Sequence, residues 1–531
     1  MITGTPSGAS LSSGTKNQTY SVFSRANYNY AGKYYLMTAM RIDGSSKFAP
    51  GKQWGYFPSV GAAWTISEEK FFKKVLPIVN YAKLRVTYGN TGNNRVGDFS
   101  YLSQYGSVVN SLGYTWNNVN YGGITPFFYG NKDLTWETTT GTDYGINLDF
   151  FKSRITTEIV YYTKSTKNFL LGVRLPFSAG YPNGANAQYQ NTGSLSNNGF
   201  EFTLNTINIK KKNFNWATSF NISFNKSKIN SFYSGLETIQ TSWSLPGSAT
   251  AWITKVGGPI SQFYGYQWGG VYQYGDFDKL SNGAYVLKTS VPSYASNVQP
   301  GDPKYKDINN DGVVDANDQT TLGTPLPIHT GGFTNNLSYK NWSFNVFFQW
   351  SYGNQVLNAN RIVFESTGGY ALNFNQFATY ANRWTPMNPT NDIPRARYNL
   401  KGDVGSANPR PSSRIIEDAS FLRLKTVSIG YDLPEGLLRR AKIRNIRLNF
   451  SAQNLHVWTK YTGSDPEVST YRTSNPANSP FGGSNIGSTS ASGAGYTFIQ
   501  PSSGYAALAA GYDYTPYPRA VSYTFGVNAT F

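Results

Sequence analysis

The chain ends in the segment YTFGVNATF, residues 523–531, in which apolar and polar side chains alternate. Successive side chains of a β-strand point to opposite faces of its sheet. One face of this segment is therefore apolar and is formed by Tyr523, Phe525, Val527, Ala529 and Phe531. The opposite face carries Ser522, Thr524, Asn528 and Thr530. The segment predicts an amphipathic strand at the C-terminus.

A chain that ends on such a strand, with an aromatic last residue, is unusual among soluble β-sandwiches. It resembles bacterial outer-membrane barrels, in which the last strand closes the barrel and a terminal aromatic residue is the assembly signal. Similar alternation occurs in WSFNVFFQW at 342–350, FNISFN at 220–225 and RLNFSAQ at 447–453. The aromatic ends of the first of these resemble the interfacial girdles of membrane barrels.

The composition is compatible with a membrane barrel. Aromatic residues make up 16% of the 531 residues, and cysteine is absent. No run of about 18 apolar residues occurs, so a transmembrane helix is excluded. The mean hydropathy is negative. A barrel gives such a value because only alternate residues of each strand meet lipid.

The formal net charge of +18 would be compatible with a nucleic-acid-binding protein. The basic residues are scattered, however, and no nucleic-acid-binding motif is present, so no nucleic-acid partner is expected. Lysine and arginine on outer loops that face anionic lipid headgroups account for the charge equally well.

The N-terminal segment MITGTPSGASLSSGTKNQ has no apolar core, so it is not predicted to be a signal peptide. A barrel needs export, and the expectation is therefore that the sequence is part of a longer protein.

The alternation and the turn residues predict an all-β fold, a partial transmembrane antiparallel β-barrel of about thirteen spans with long extracellular loops. The spans are placed at residues 20–30, 33–43, 55–67, 81–89, 136–150, 154–169, 199–209, 214–227, 330–339, 342–350, 421–432, 446–459 and 520–531. A short helix capped by Ser67 is predicted at residues 67–76.

Short and long connections alternate along these spans, as periplasmic turns and outer loops do in bacterial barrels. The alternation holds only if residues 263–274, which also alternate, are not a span. Residues 228–329 are therefore interpreted as one long extracellular excursion. A closed up-and-down barrel needs an even number of strands, so the odd count also predicts that the barrel begins outside this sequence.

Nine ordered blocks of sequence carry a resemblance to a known family. They include RIDGSSKFAPGKQWGYFPSVGAAWTISEEKFF from Arg41, PGDPKYKDINNDGVVDANDQTTLGTPLPIHTGGFTNNLSYKNW from Pro300 and FSAQNLHVWTKYTGSDPEV from Phe450. Together they resemble the SusC/RagA family of TonB-dependent outer-membrane transporters. The resemblance extends from about Tyr20 to the end, so residues 1–531 are interpreted as the C-terminal portion of such a receptor barrel.

The resemblance implies a barrel of about 22 strands that surrounds an N-terminal plug, as in the large plugged transporters. It implies import of oligosaccharides or peptides with energy from TonB, beneath a SusD-like surface lipoprotein. The location implied is the outer membrane of a Gram-negative, Bacteroidetes-like bacterium. Plug, TonB-contacting segment and early strands are not found in this sequence, so gating and energy coupling are expected to need more than this chain.

One ligand site is predicted within the excursion, at residues 307–318. Oxygen donors occupy positions 1, 3, 5, 7, 9 and 12 of a calcium-type loop, with Gly312 at position 6 for the sharp turn. The predicted ligands are Asp307, Asn309, Asp311, Val313 through its carbonyl, Asp315 and Asp318. Asp318 replaces the usual glutamate, which favours weak calcium binding or magnesium. A solvated turn rich in Asx residues is the alternative interpretation.

No arrangement of residues indicates an enzyme, since neither paired carboxylates nor a catalytic histidine spacing is present. His329 and His456 are far apart in sequence, and Glu68 and Glu69 read as helix N-terminal charge. Aromatic and basic residues of an outer loop, such as Trp384, could stack on sugars, although packing explains them as well. Two other functions stay open, namely a passive pore or adhesin, and a soluble secreted glycan-binding β-protein or hydrolase.

Overall fold

A large antiparallel sheet of thirteen strands dominates the computed structural model. The structure describes residues 16–75, 78–108, 114–117, 119–121, 123–174, 187–232, 235–243, 249–366, 375–396, 410–438, 443–467, 509–514 and 519–531. The sheet strands, in chain order, are β1 Thr19–Tyr30, β2 Tyr34–Ser45, β3 Trp54–Thr65, β4 Val79–Asn93, β5 Glu137–Phe150, β6 Ile155–Lys167, β7 Ser194–Lys210, β8 Phe214–Ser231, β9 His329–Tyr339, β10 Trp342–Tyr352, β11 Phe421–Asp432, β12 Asn445–Thr459 and β13 Ser522–Thr530.

All thirteen predicted spans are confirmed as strands of this sheet. The largest difference is at β7, which begins at Ser194 rather than at 199. Each strand pairs with its neighbours in chain order, so the sheet is an up-and-down meander. Within the described residues β1 pairs only with β2, and β13 pairs only with β12.

The pairing register keeps apolar residues of neighbouring strands on one face. Phe525 of β13 lies opposite Phe450 of β12, which lies opposite Ile429 of β11. The two phenylalanine rings are 4.8 Å apart, yet Phe525 is 80% exposed. No other layer of the described chain covers this apolar face. The other face is polar.

Because the strands are antiparallel, alternate connections lie at the same end of the sheet. One end has the connections 31–33, 66–78, 151–154, 211–213, 340–341 and 433–444. The other end has 46–53, 94–136, 168–193, 232–328, 353–420 and 460–521, which we call the head. As predicted, residues 263–274 do not form a wall strand, since Gln262–Tyr266 and Trp268–Val271 belong to small sheets of the head.

The head contains further short strands, which pair among themselves. They are Gln104–Val108, Tyr114–Trp116, Val119–Tyr121, Gly123–Phe128, Leu170–Arg174, Ala187–Asn191, Thr238–Trp243, Ala249–Lys255, Gln262–Tyr266, Trp268–Val271, Phe277–Lys279, Tyr285–Leu287, Pro303–Tyr305, Gln319–Gly323, Gln355–Asn358, Ile416–Asp418 and Tyr512–Asp513.

Helices are few and short. The α-helices are α1 Lys70–Val75, α2 Asn360–Phe364 and α3 Glu435–Leu438, and 3-10 turns occur at Ile66–Glu68, Tyr274–Asp276, Ala316–Asp318, Ala378–Asn382 and Ser413–Ile415. In the described part, none is both long and apolar enough to cross a membrane. The helix predicted at 67–76 is confirmed over Lys70–Val75, and residue 76 lies outside the described residues. Ser67 does not cap it, because Ser67 is buried within the preceding 3-10 turn.

The buried apolar side chains lie mainly in the head. The first cluster comprises Ala251, Trp252, Phe263, Leu357, Ala359, Ile415, Ala509 and Tyr512. It joins three head connections that are far apart in sequence, 232–328, 353–420 and 460–521. A second cluster joins the connections 46–53, 94–136 and 168–193 to the end of β3 and comprises Phe48, Phe57, Val96, Leu134, Trp136 and Leu170. The head is therefore built around apolar cores of its own, unlike the wall.

Candidate functional site: the polar face of the wall and the acidic loop

Three long side chains on the polar face of the wall lie along the sheet and bond to other strands. Arg85 of β4 reaches across β5, donating a hydrogen bond to Asn147 at 2.9 Å and pairing with Glu158 of β6. Gly145 of β5 lies directly opposite Arg85, and a methyl group there would be 2.3 Å from the Arg85 Nε atom. The glycine therefore makes the room that Arg85 occupies.

The same arrangement recurs two strands further along. Tyr162 of β6 lies opposite Gly199 of β7, which lies opposite Asn225 of β8. The Tyr162 hydroxyl crosses the glycine and donates to Asn225 Oδ1 at 2.9 Å. A Cβ atom at Gly199 would be 2.3 Å from that hydroxyl oxygen. The tyrosine ring can lie flat only because position 199 has no side chain.

A third example lies on the same face, near the other edge of the sheet. Arg447 of β12 donates to Ser343 Oγ of β10 at 2.6 Å, passing over Gly430 of β11. A Cβ atom at Gly430 would be 2.6 Å from Arg447 Nη2 and also from Ser343 Oγ. Three glycines thus let three long side chains join alternate strands across the strand between them. At these three points the polar groups of the face are hydrogen-bonded to one another.

Between these points the polar face is rich in amides and hydroxyls. Ser219 donates to Asn205 at 2.6 Å, and Asn345 donates to Asn336 at 2.7 Å. Such groups donate and accept hydrogen bonds without carrying charge. The face can therefore hydrate or contact a polar solute. The sequence analysis predicted a polar face but not the glycine positions, since a glycine within a strand pattern has several possible causes.

The acidic loop predicted as a metal site is ordered by its own backbone. Asp307 accepts hydrogen bonds from the amides of Asn310 at 2.7 Å and Gly312 at 2.8 Å. Asp311 accepts from the amide of Val313 at 2.9 Å. Gly312 has φ of +87°, the conformation for which the sequence pattern requires glycine.

Asp318, the last predicted ligand, is fully buried. Its carboxylate accepts from the amides of Ile308 at 2.7 Å and Asp315 at 2.8 Å. Burial raises the pKa of Asp318, but hydrogen bonds from the amides of Asp315, Ile308 and Asn309 outweigh burial and hold it below its ordinary value. Asp318 is therefore a fixed carboxylate that closes the loop.

The structure brings all six predicted ligands into one loop, and their oxygens suit a hard cation such as calcium or magnesium. The glycine conformation and the fixed carboxylate at position 12 also fit. In the described residues, however, no three Asp, Glu or His side chains converge closely enough to hold a metal ion. The loop has the donors, while their arrangement is not a closed coordination shell. The metal site stays a prediction.

Other residues considered from sequence have structural partners. Trp384 is buried, and its indole nitrogen donates to Gln273 at 2.9 Å, so its ring packs inside the head rather than facing a sugar. Glu69 accepts from Lys33 at 2.9 Å and from Tyr34 at 2.7 Å at the end of the wall opposite the head. His329 accepts from Trp350 and does not meet His456.

A buried ion pair fixes the start of the last head connection to the wall, and sequence analysis did not find it. Arg423 of β11 and Asp465 are both buried, and their side chains are 2.6 Å apart. Arg519, just before β13, pairs with Glu467 at 3.0 Å. Both ends of the connection 460–521 are thus held at the same place. Arg423 and Asp465 are 42 positions apart in sequence, so only the fold brings them together.

A large antiparallel meander with an apolar and a polar face and with all its long connections at one end defines the class of outer-membrane β-barrel proteins. Residues 2–455 match the family described as TonB dependent receptor-like, beta-barrel. The chain belongs to this family, and its similarities are of the SusC/RagA type. The apolar face is accordingly the membrane-facing side of the wall, and the polar face lines the interior. The family is one of outer-membrane receptors and transporters, not of enzymes.

Two curated relatives illustrate the similarity. The chain is 33% identical to TonB-dependent receptor P3 of Formosa agariphila over 519 residues, covering 97% of this chain and 46% of the relative. It is 29% identical to TonB-dependent receptor SusC of Bacteroides thetaiotaomicron over 476 residues, covering 87% of this chain and 42% of the relative. The chain therefore spans about half the length of the curated relatives it matches.

Among solved structures, the RagAB peptide importer in its open-open state is similar to 97% of this chain, with a TM-score of 0.70 and 25% identity. The match covers 47% of that chain. A second RagAB structure, described as a peptide transporter, gives a TM-score of 0.66 and 26% identity over 85% of this chain.

Proposed function

We propose that this chain forms the conducting wall and outer head of a SusC/RagA-type transporter that imports oligosaccharides or peptides across the outer membrane. The observation that carries the proposal is the shared meander, in which 97% of the chain follows the fold of the RagAB peptide importer. The polar face adds support, because polar nutrients need hydrogen-bonding groups along their path.

In the proposed mechanism, substrate is captured at the head and passes along the polar face of the wall. The side chains of Arg85, Tyr162 and Arg447 hold their ends against the sheet, which leaves the interior open. Amides and hydroxyls replace the water that the substrate gives up. Energy from the TonB complex would act through a plug, and the head would meet a SusD-like surface lipoprotein.

The uptake proposal is tested in the native host by deleting and restoring the complete transporter that contains this chain. Import of fluorescently labelled oligosaccharides and peptides is then measured separately. We expect one of the two classes to require the transporter and also its co-expressed surface lipoprotein. Ohmic conduction by the complete transporter in planar bilayers would contradict the proposal and favour a passive pore.

The orientation of the head is a separate part of the proposal. Cysteines introduced at Asn282 and Asn375, both exposed head residues, should react with an impermeant maleimide on intact cells. The chain has no native cysteine that would confuse the result. A cysteine at Ser153, in a connection at the opposite end, should react only after the outer membrane is opened. Protection of both head positions would contradict an extracellular head.

We also propose that a calcium or magnesium ion has a structural role in the loop 307–318. Its charge would offset the repulsion among four carboxylates in one turn. Asp307 and Asp311 would hold it in the first half of the loop, and Asp318 would close it. Because this loop belongs to the head, a bound ion would stiffen the surface that faces the lipoprotein partner.

Isothermal titration of the complete transporter with calcium tests the ion proposal. Binding should be lost in Asp311→Ala and retained in Asp278→Ala, which removes an exposed carboxylate of the head outside the loop. If calcium is present at about 100 times its dissociation constant, it should stabilise the folded loop by about 2.7 kcal/mol. Calcium or magnesium binding that is as strong in Asp311→Ala as in Asp278→Ala would show that the loop is not the site.

A further inference from the structure

A small three-stranded sheet in the head joins two connections that are distant in sequence. Gln355–Asn358 pairs with Ile416–Asp418 on one side and, in parallel, with Tyr512–Asp513 on the other. The Leu357 amide donates to the Gly511 carbonyl at 2.8 Å, and the Ala359 amide donates to the Asp513 carbonyl at 2.9 Å. These two bonds fix the returning arm of the connection 460–521 to the connection 353–420.

Asp513 lies at the end of this seam with no exposed surface. The Tyr461 hydroxyl donates a hydrogen bond to its Oδ2 atom. Its Oδ1 atom is buried and has no hydrogen-bond partner among the described residues. An ionised carboxylate with one unpartnered oxygen is costly to bury. The site therefore disfavours the charged form of Asp513.

The charged groups around Asp513 reinforce this effect. Glu417, on the strand Ile416–Asp418, and Asp465, after β12, both act on Asp513 as negative charges. Each has its own cation, since Arg361 pairs with Glu417 at 3.4 Å and Arg423 pairs with Asp465 at 2.6 Å. In the described part of the chain, Asp513 itself forms no ion pair.

We propose that Asp513 is a protonation-dependent latch, which holds the returning arm of the connection 460–521 against the connection 353–420 when it carries a proton. In the protonated form the Tyr461 hydroxyl still donates to Asp513 Oδ2, so the added proton is on Oδ1. The seam then buries a neutral carboxylic acid and not a carboxylate. Loss of the proton places a third negative charge beside Glu417 and Asp465 and weakens the seam.

The direction of the pH effect follows from the pKa values of the closed and open arrangements. Burial raises the pKa of Asp513 in the closed head, and the charges of Glu417 and Asp465 raise it further, while the hydrogen bond from Tyr461 and the nearby Asn360 amide group oppose the rise. In an open, solvated arm the pKa returns to about 3.9. The latch is therefore fully stabilising below that value, weakens as the pH rises, and levels off once the pH passes the raised pKa.

The experiment is hydrogen exchange followed by mass spectrometry on the complete transporter, with exchange rates corrected for intrinsic pH dependence. The peptide that contains the Leu357 and Ala359 amides reports the seam. Its protection should fall by up to about tenfold per pH unit above pH ~4. A peptide covering the hairpin Phe277–Leu287, also in the head, is the control and should show no such change.

Two variants separate a latch from a structural contact. Asp513→Asn keeps the shape without the titrating group, so its protection should be independent of pH. Tyr461→Phe removes a hydrogen bond that lowers the pKa of Asp513, so the levelling-off should move to higher pH. Protection that falls with pH in Asp513→Asn as in the wild type would overturn the proposal. So would protection of the seam that is constant with pH in the wild type.

Discussion

The wall and the head of this protein are held together in different ways. In the wall, thirteen strands share continuous backbone pairing, yet many of the large side chains are exposed, as Phe525 is at 80%. In the head, Trp252, Phe263 and Leu357 are fully buried. The wall has no apolar core and depends on lipid to cover one face. The head packs like a soluble domain.

The comparison shows where sequence variation should be tolerated. An apolar side chain on the membrane face can be exchanged for another because lipid adapts to its shape. A side chain in the head core meets fixed neighbours, so any change of volume leaves a cavity or a clash. On the polar face of the wall, the critical positions are the glycines under long side chains. Four substitutions test these differences.

The largest effect is expected at Trp252 in the head core. Its indole nitrogen donates to the Ala510 carbonyl at 3.0 Å, and its ring lies 5.6 Å from that of Tyr512. Trp252→Ala should reduce the free energy of local opening of the head by about 3–5 kcal/mol. Hydrogen exchange of the peptide with Leu357 measures it.

The matched control is Phe525→Ala, which truncates a similarly large side chain on the membrane face. It should leave protection of the head unchanged and the wall folded, as judged by heat-modifiable gel migration. Equal loss of head protection in both variants would mean that the wall and the head are one cooperative unit.

A smaller effect is expected when one partner of the buried ion pair is removed. Asp465→Asn leaves the Arg423 guanidinium buried without its nearest carboxylate, which typically costs about 3–5 kcal/mol. Glu467 lies 3.7 Å from Arg423 Nε, so we expect the lower limit, about 3 kcal/mol. Hydrogen exchange of the amides where the connection 460–521 begins would measure this loss of stability. A loss below about 1 kcal/mol would contradict the burial of the Arg423–Asp465 pair.

On the wall, Gly199→Ala should cost about 1–3 kcal/mol, because the new methyl group overlaps Tyr162. Gly526→Ala is the control, since its nearest neighbour would be 3.9 Å away. Urea unfolding of the complete barrel protein in lipid vesicles measures both. In the double variant Gly199→Ala, Tyr162→Ala, the loss of stability should be smaller than the sum of the losses in the two single variants. A loss equal to that sum would disprove the contact.

Sequence alone predicted the wall well, because its signal is local. Alternation along each strand, as in Trp342–Tyr352, needs no knowledge of distant residues. The lengths of the connections then excluded residues 263–274 as a span. Ser67 was misplaced as a helix cap because cap signals are short, and a 3-10 turn over Ile66–Glu68 precedes the helix, which starts at Lys70.

The head could not be predicted in the same way. Tyr461 and Asp513 are 52 residues apart, and nothing local to either indicates that they meet. The acidic loop is the exception, since its six oxygen positions fall within twelve residues and were readable as a pattern. Even there, sequence did not reveal that Asp318 is fully buried and bonded to the loop backbone.

The smallest effect is expected at an ion pair on the polar face of the wall. Arg447 and Asp432 are 3.2 Å apart, but their side chains are 39% and 37% exposed. Solvent screens such a pair, and Arg447 keeps its hydrogen bonds to Ser343 and Asn449 when the charge is lost. Asp432→Asn should therefore cost less than about 1 kcal/mol in the same urea assay, and added salt should lower that cost further. A loss as large as that of Asp465→Asn would mean that the interior excludes water at this point, so that the polar face is packed rather than open.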